Sequence, residues 1–220
     1  MADGPGRGTK KNRRAEILDH AAKLFHAQGY HATTMDDLAD SLKLNKGTLY
    51  YYYESKANVL FEILLNTSDR RLAMMRAQSA DMSPEDAVRH FVEDTISYLA
   101  QHPVEAAVSF QEAPFLSQWL SKDQVSVIQA RHRDFEKHAV DAVTKGQAGH
   151  IFDPDLDPRV AAQALTGIAT WFVRWYRPNS RLSAKEIARQ SSILALRGLL
   201  VREPAVPPTP VSQIAPAGHA

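Results

Sequence analysis

The stretch Leu44-Asn45-Lys46-Gly47-Thr48-Leu49-Tyr50-Tyr51-Tyr52-Tyr53-Glu54-Ser55-Lys56 decides the reading of this chain. Four consecutive tyrosines are costly to expose and hard to bury. A tyrosine offers a stiff ring plus a hydroxyl that can donate to a phosphate, and its face packs on sugars and thymine methyls. An Asn that can start a helix precedes the run, and Ser55 with Lys56 follows it, so the segment suits contact with a polyanion. The blander alternative is a tyrosine-rich helix end that belongs to the core.

Working upstream, Ile17, Leu18, Ala21, Ala22, Leu24 and Phe25 recur at helical spacing, so residues 13–28 read as an amphipathic helix ended by Gly29. Thr34 is a good N-cap with Asp37 three residues on, and opens a short second helix with Leu38, Ala39 and Leu42 on its buried side. A tight turn at Lys43-Leu44 leads to Asn45, the cap of a third helix over residues 46–52. Two short helices joined by a three- to four-residue turn form a helix-turn-helix, whose second helix enters the major groove N-terminus first.

These residues resemble the TetR family of bacterial repressors. The likeness rests on Arg14-Ala15-Glu16-Ile17-Leu18, Ala21-Ala22, Leu24-Phe25, Gly29-Tyr30, Thr33-Thr34, Leu38-Ala39 and Lys46 through Tyr50, then Ser55-Lys56. It spans about residues 15–60. The resemblance implies that Thr34, Lys46, Gly47, Thr48, Tyr50, Tyr51, Tyr52 and Lys56 face double-stranded DNA, while Tyr53 takes a core position. The sequence departs from the family at Lys43, where glycine is common in the turn, and at Asp36, where many members carry a basic residue. A left-handed backbone at Lys43 would carry strain. By residue type, Lys56 in the first turn of the fourth helix is expected to anchor a phosphate. Lys46 contacts either a guanine or only phosphate.

The first fourteen residues carry Arg7, Lys10, Lys11, Arg13 and Arg14 against Asp3 alone, so residues 1–12 read as a disordered basic arm. Such an arm either lies along phosphates or is a solvated tail. No apolar stretch follows it, so it is no secretory signal. The helix-turn-helix domain is expected over residues 13–58. A ligand-binding and dimerisation domain should follow over residues 59–202, then a disordered tail over 203–220 containing five prolines.

Composition narrows the class. The formal net charge of +1 argues against binding nucleic acid by overall charge, so any footprint must be local. Zero cysteines excludes disulfides and cysteine zinc sites. His132 and His138 are six apart, off a shared face, and no third ligand follows, so no metal, no cofactor and no enzyme activity are expected. Apolar runs are short and broken, so no membrane partner is expected and a cytoplasmic location is.

Beyond Lys56 the pattern predicts an all-α bundle. Ser55 should cap a helix to about residue 77, and Ser83-Pro84 one to residue 101. His102-Pro103 forces a break before a helix to residue 112. A helix from Ser121 should stop at Gly146. The Asp153–Pro158 loop should cap a helix to Tyr176, and Ser183 with Glu186 forms a capping box for the last, to about residue 202.

Small residues Ala188, Ser191, Ala195 and Gly198 line one side of that helix beside Leu199. With Phe172 and Trp175 they suit a two-fold homodimer interface; the alternative is a monomer core. Phe91, Phe110, Phe115, Trp119 and Trp171 either line an effector pocket or are packed core. The segment Thr170–Pro178 is similar to TetR-family regulators of steroid catabolism, which implies a CoA thioester as effector. Arg174 and Arg177 then meet its phosphates or form salt bridges. The reading is a repressor that binds an inverted-repeat operator as a dimer and is released by a small hydrophobic effector. Its rival is a helical adaptor without sequence-selective DNA binding.

Overall fold

In the computed structural model, which describes residues 10–77 and 81–201, ten α-helices account for most of the described residues. The first four are α1 (Lys10–Gln28), α2 (Met35–Ser41), α3 (Lys46–Tyr52) and α4 (Lys56–Arg76). The larger bundle holds α5 (Pro84–Gln101), α6 (Pro103–Glu112), the short α7 (Leu116–Trp119), α8 (Lys122–Ala148), α9 (Pro158–Trp175) and α10 (Ala184–Leu199). The all-α expectation holds, and among the described residues the only β feature is an isolated antiparallel bridge, Phe152 with Leu200.

The caps form as their residue types dictate. Thr34 accepts from the Asp37 amide while the Asp37 carboxylate accepts from the Thr34 amide, closing the capping box of α2. These bonds hold the Asp37 carboxyl below its usual range. Asn45 caps α3 through the Thr48 amide at 2.7 Å, and Ser55 caps α4. Ser183 caps α10, but Glu186 does not complete the box: its carboxylate turns to Arg189 and Gln190, which lower it to about 2.

Three boundaries differ from expectation. Helix α1 begins at Lys10, so Lys10, Lys11 and Asn12 belong to a helix; residues 1–9 and the tail from 202 lie outside the described residues. Gly146 does not stop α8. It is buried inside the helix, and a Cβ there would lie 2.1 Å from the Phe152 ring, so the missing side chain admits that ring against the backbone. The stop comes at Gly149 and His150, the latter left-handed at φ 56. Finally, α10 ends at Leu199, where Asp153 donates to the Leu199 carbonyl (2.8 Å) and Val201 to that of Ile151 (3.2 Å).

Two cores result. One gathers Ile17, Phe25, Leu38, Leu49, Tyr53, Val59 and Leu60 under the first four helices, and reaches Val108 and Ile128 of the bundle. The other lies among α5, α8, α9 and α10, with Phe91, Phe135, Phe152 and Phe172 as its bulk. Helix α10 packs chiefly on α5. Among the described residues no helix is long and apolar enough to cross a membrane.

Candidate DNA interface and effector pocket

A seven-residue helix cannot hold itself together in water, so α3 depends on what fastens it. Leu49 is fully buried beneath it. Arg14 clamps its far end: Nη1 donates to the Tyr52 carbonyl (3.1 Å), the guanidinium pairs with Glu62 of α4, and it lies 4.5 Å from the Tyr53 ring centre. Burial and Glu62 raise the pKa of the Tyr53 hydroxyl. With that face held, Lys46, Gly47, Tyr50 and Tyr51 point outward, Tyr51 68% exposed, and Thr48 is half-exposed beside them. A Cβ on Gly47 would meet only Asn45 Oδ1, at 3.6 Å. Nothing inside the protein therefore requires glycine there. Lys10 lies 4.8 Å above the Tyr51 ring, a cation on the same surface that the sequence reading assigned to the arm.

Three of the expected DNA residues have other duties here. Tyr52 is half-buried and packs on the first core. Thr34 is exposed, but its hydroxyl is engaged with Asp37. Lys56 is the larger correction. Its Nζ donates to the carbonyls of Tyr30 (2.7 Å), His31 (3.2 Å) and Thr33 (2.6 Å) and sits 4.4 Å from the Tyr30 ring centre. An ammonium has three protons, and three carbonyls take them. Burial pulls its pKa down. Lys56 thus ties the α1–α2 loop to the start of α4 and is not free to grip a phosphate. Asp36 also has a role the sequence left open: its carboxylate meets Lys46 Nζ at 2.6 Å, which raises the lysine's pKa. The turn residue Lys43 is left-handed at φ 52, as its position implied.

The expected effector residues separate into groups. Phe110, Arg174 and Arg177 share a pocket of about 430 Å³ with Leu99, Pro103, Phe172 and Tyr176, and His26 from the last turn of α1 closes one wall. Trp171, 56% exposed, stands beside it, its ring centre 6.1 Å from that of Phe110 in an edge-type contact. Phe91 is not a pocket residue; it is packed in the core against Phe135. Trp119 is not one either: its indole donates to Glu112 (3.0 Å) and lies against Tyr30 and His31, joining the bundle to the first domain. Phe115 leans on Trp119 from a surface turn.

The small-residue stripe on α10 is also corrected. Phe172, Ala188, Ala195 and Leu199 are buried within the single chain, and the neighbouring Ser192 donates to Glu93 of α5. Their smallness lets α10 lie close on α5. What remains outward is Gly198, half-exposed Ser191 and Trp175, together with Val160, Ala164, Gly167 and Trp171 on α9 and Leu194 on α10. Leu194, Val160, Ala164 and Trp175 are among the residues the sequence offers for a two-helix interface, and Gly167 and Trp171 extend that stripe. The signal lies in Val160, Ala164, Gly167, Trp171 and Trp175, which recur every three or four residues.

A helix-turn-helix with an exposed aromatic-basic second helix, joined to a bundle with a pocket at the junction, defines a DNA-binding regulator. The chain belongs to the TetR family: the family's N-terminal model, for bacterial regulatory proteins, matches residues 17–63, and the tetracyclin repressor-like C-terminal domain matches residues 81–199. It is 28% identical over 193 residues to the HTH-type transcriptional repressor KstR2 of Mycobacterium tuberculosis, covering 87% of this chain and 95% of that protein. The solved structure of that ketosteroid transcriptional regulator superposes with a TM-score of 0.76 over 92% of this chain and 100% of that one. PfmR of Thermus thermophilus is 31% identical (TM-score 0.74, covering 82% and 97%). AibR in complex with isovaleryl coenzyme A and operator DNA, 22% identical, shares the fold (TM-score 0.72, covering 83% and 97%).

Proposed function

We propose that the chain is a cytoplasmic ligand-responsive repressor that binds an inverted-repeat operator as a homodimer. Helix α3 enters the major groove, with Lys46, Gly47, Thr48, Tyr50 and Tyr51 toward the duplex and Thr34 beside them. The dimer forms through the outward faces of α9 and α10. The effector is a small amphipath, and a CoA thioester suits the pocket between α1, α6 and α9, where Arg174 and Arg177 stand ready for phosphates beside the apolar wall of Phe110 and Phe172.

The observation that carries this reading is His26. A pocket walled by both the bundle and α1 senses the position of the DNA-binding domain directly. A ligand that binds better when α1 has swung away shifts the two recognition helices out of register; a ligand with equal affinity for both states shifts nothing. A hundredfold preference is worth about 2.7 kcal/mol, enough to empty a moderately occupied operator. AibR, which has this fold and was crystallised with isovaleryl coenzyme A and operator DNA, supports a thioester as the effector class.

The operator is found by selecting bound sequences from a random DNA pool, which should return an inverted repeat. Acyl-CoA thioesters and their free acids are then titrated into the labelled complex. Thioesters should lower the anisotropy, and Arg174→Gln with Arg177→Gln should abolish that response without loss of DNA binding. Release by free acids alone would remove the thioester reading. Recovery of no sequence preference would leave only the helical adaptor.

A further inference from the structure

The outward surface of the helix-turn-helix carries little positive charge. Helix α2 holds Asp36, Asp37 and Asp40 and no cation, α3 holds Lys46 alone, and Lys43 stands in the turn between them. Asp37 is spent on the Thr34 cap. Asp36 instead reaches across to α3, where its Oδ2 lies 2.6 Å from Lys46 Nζ, and both side chains stay more than half exposed. That pairing holds the lysine above its usual pKa, and Tyr50 and Asp40 push the same way. The ammonium is charged at neutral pH, but it meets the duplex with its counter-ion already in place.

An exposed pair of this kind adds little to stability. What it changes is recognition. A lone lysine on its flexible stem finds any phosphate, because the backbone is the nearest anion. A lysine held by a carboxylate presents a donor beside an acceptor, with no net charge for the backbone to attract. In the major groove a G·C pair displays two adjacent acceptors, guanine N7 and O6, followed by the cytosine N4 donor. An A·T pair sets its donor between two acceptors, adenine N7 and thymine O4, and adds a methyl group. Lys46 across N7 and O6 with Asp36 on N4 fills the first pattern. On the second, a carboxylate at the central donor is crowded by the acceptor that the lysine leaves uncovered. Gly47 and Thr48, with no side chain and a short one, leave room beside the couple.

We infer that Asp36 and Lys46 act as one neutral reading unit for a G·C base pair in each operator half-site, with Asp36 as a specificity-determining residue. This rests on the reading of α3 as the major-groove helix; it adds which base pair is read and the carboxylate that reads it.

Full-length wild type, Asp36→Ala and Lys46→Met are each used to select bound sequences from the same random DNA pool. Neither side chain is buried or caps a helix, so both variants should fold like the wild type. The wild type should return a G·C pair at one fixed position of each half-site, and both variants should lose the preference at that position and keep it elsewhere. In titrations, changing that pair to A·T in both half-sites should weaken wild-type binding about tenfold or more and Asp36→Ala binding by no more than about twofold. Asp36→Ala frees Lys46 for the backbone, so its binding to random duplex should tighten and its salt slope steepen by about one unit per subunit. The inference falls if Asp36→Ala keeps the wild-type preference at every position, if the two variants lose preference at different positions, or if the shared position is not G·C. A wild type that selects no sequence brings down the operator reading and this inference with it. A selected inverted repeat that Asp36→Ala leaves unchanged brings down the inference alone.

Discussion

The helix-turn-helix and the bundle solve the same problem with different materials. Helices α2 and α3 are seven residues each, too short to be positioned by an apolar face alone. They are held by cations that reach backbone: Arg14 to the Tyr52 carbonyl, and Lys56 to three carbonyls of the preceding loop. The bundle helices α9 and α10 run 18 and 16 residues and are positioned by small residues packed on α5, leaving apolar surface over. The contrast teaches where polar residues hold structure. A small domain with little core uses charge-assisted bonds to fix geometry, and a larger one uses interdigitation and retains an apolar face for assembly.

Removing a fastener tests the first half and should have the largest effect. Lys56→Met keeps the stem but strands three carbonyls, so unfolding stability should fall by about 3 kcal/mol. Amide exchange should quicken through the α1–α2 loop and α2, and operator affinity should fall with it. A variant of unchanged stability that loses only about one unit of the salt slope of DNA binding would restore Lys56 as a phosphate contact.

Next comes the leftover surface. Leu194→Arg places a charge on an exposed apolar position, so it should leave the fold intact and yield a monomer by sedimentation, with operator affinity reduced tenfold or more. Ala195→Arg, one residue on, should instead damage the monomer core, because Ala195 is buried against the chain's own helices. Equal behaviour of the two variants would break the distinction between the packed and the open faces of α10.

The smallest effect sharpens the turn. Lys43 adopts φ 52 between α2 and α3, and glycine enters that region without penalty. Lys43→Gly should raise stability by up to about 1 kcal/mol. A loss of stability in thermal unfolding would mean that the exposed lysine contributes more through its side chain than its backbone costs.

Much of the first domain was legible because its signals are local. Thr34 with Asp37, Asn45 with Thr48 and Ser55 with Asn58 each act within three residues. The roles of Arg14, Lys56 and Trp119 were not, because their partners lie elsewhere in the chain: Glu62 is 48 residues from Arg14, and Tyr30 is 26 from Lys56. A lysine at the start of a helix has the same local sequence whether it faces phosphate or a neighbouring loop. The stripe Ala188, Ala195, Leu199 was misassigned for a related reason: close packing on a partner subunit and on α5 demand the same spacing. Gly146 looked like a stop because glycine usually is one; only the later position of Phe152 reveals that it is a seat for a ring.

The stitch around Phe152 has a mechanical consequence. The loop that leads from α8 into α9 and the end of α10 are tied together by the Phe152–Leu200 bridge, the Asp153 amide on the Leu199 carbonyl and the Val201 amide on the Ile151 carbonyl. At the opposite end of this antiparallel pair, residues 172–178 form the pocket wall that faces His26. One end is fixed by these backbone bonds, and the pocket lies at the other. In the proposed function, a ligand at the pocket end would act at the full length of an 18-residue lever, roughly 27 Å at 1.5 Å per residue, so a small rotation about the stitched end would give its greatest displacement where the bundle meets α1.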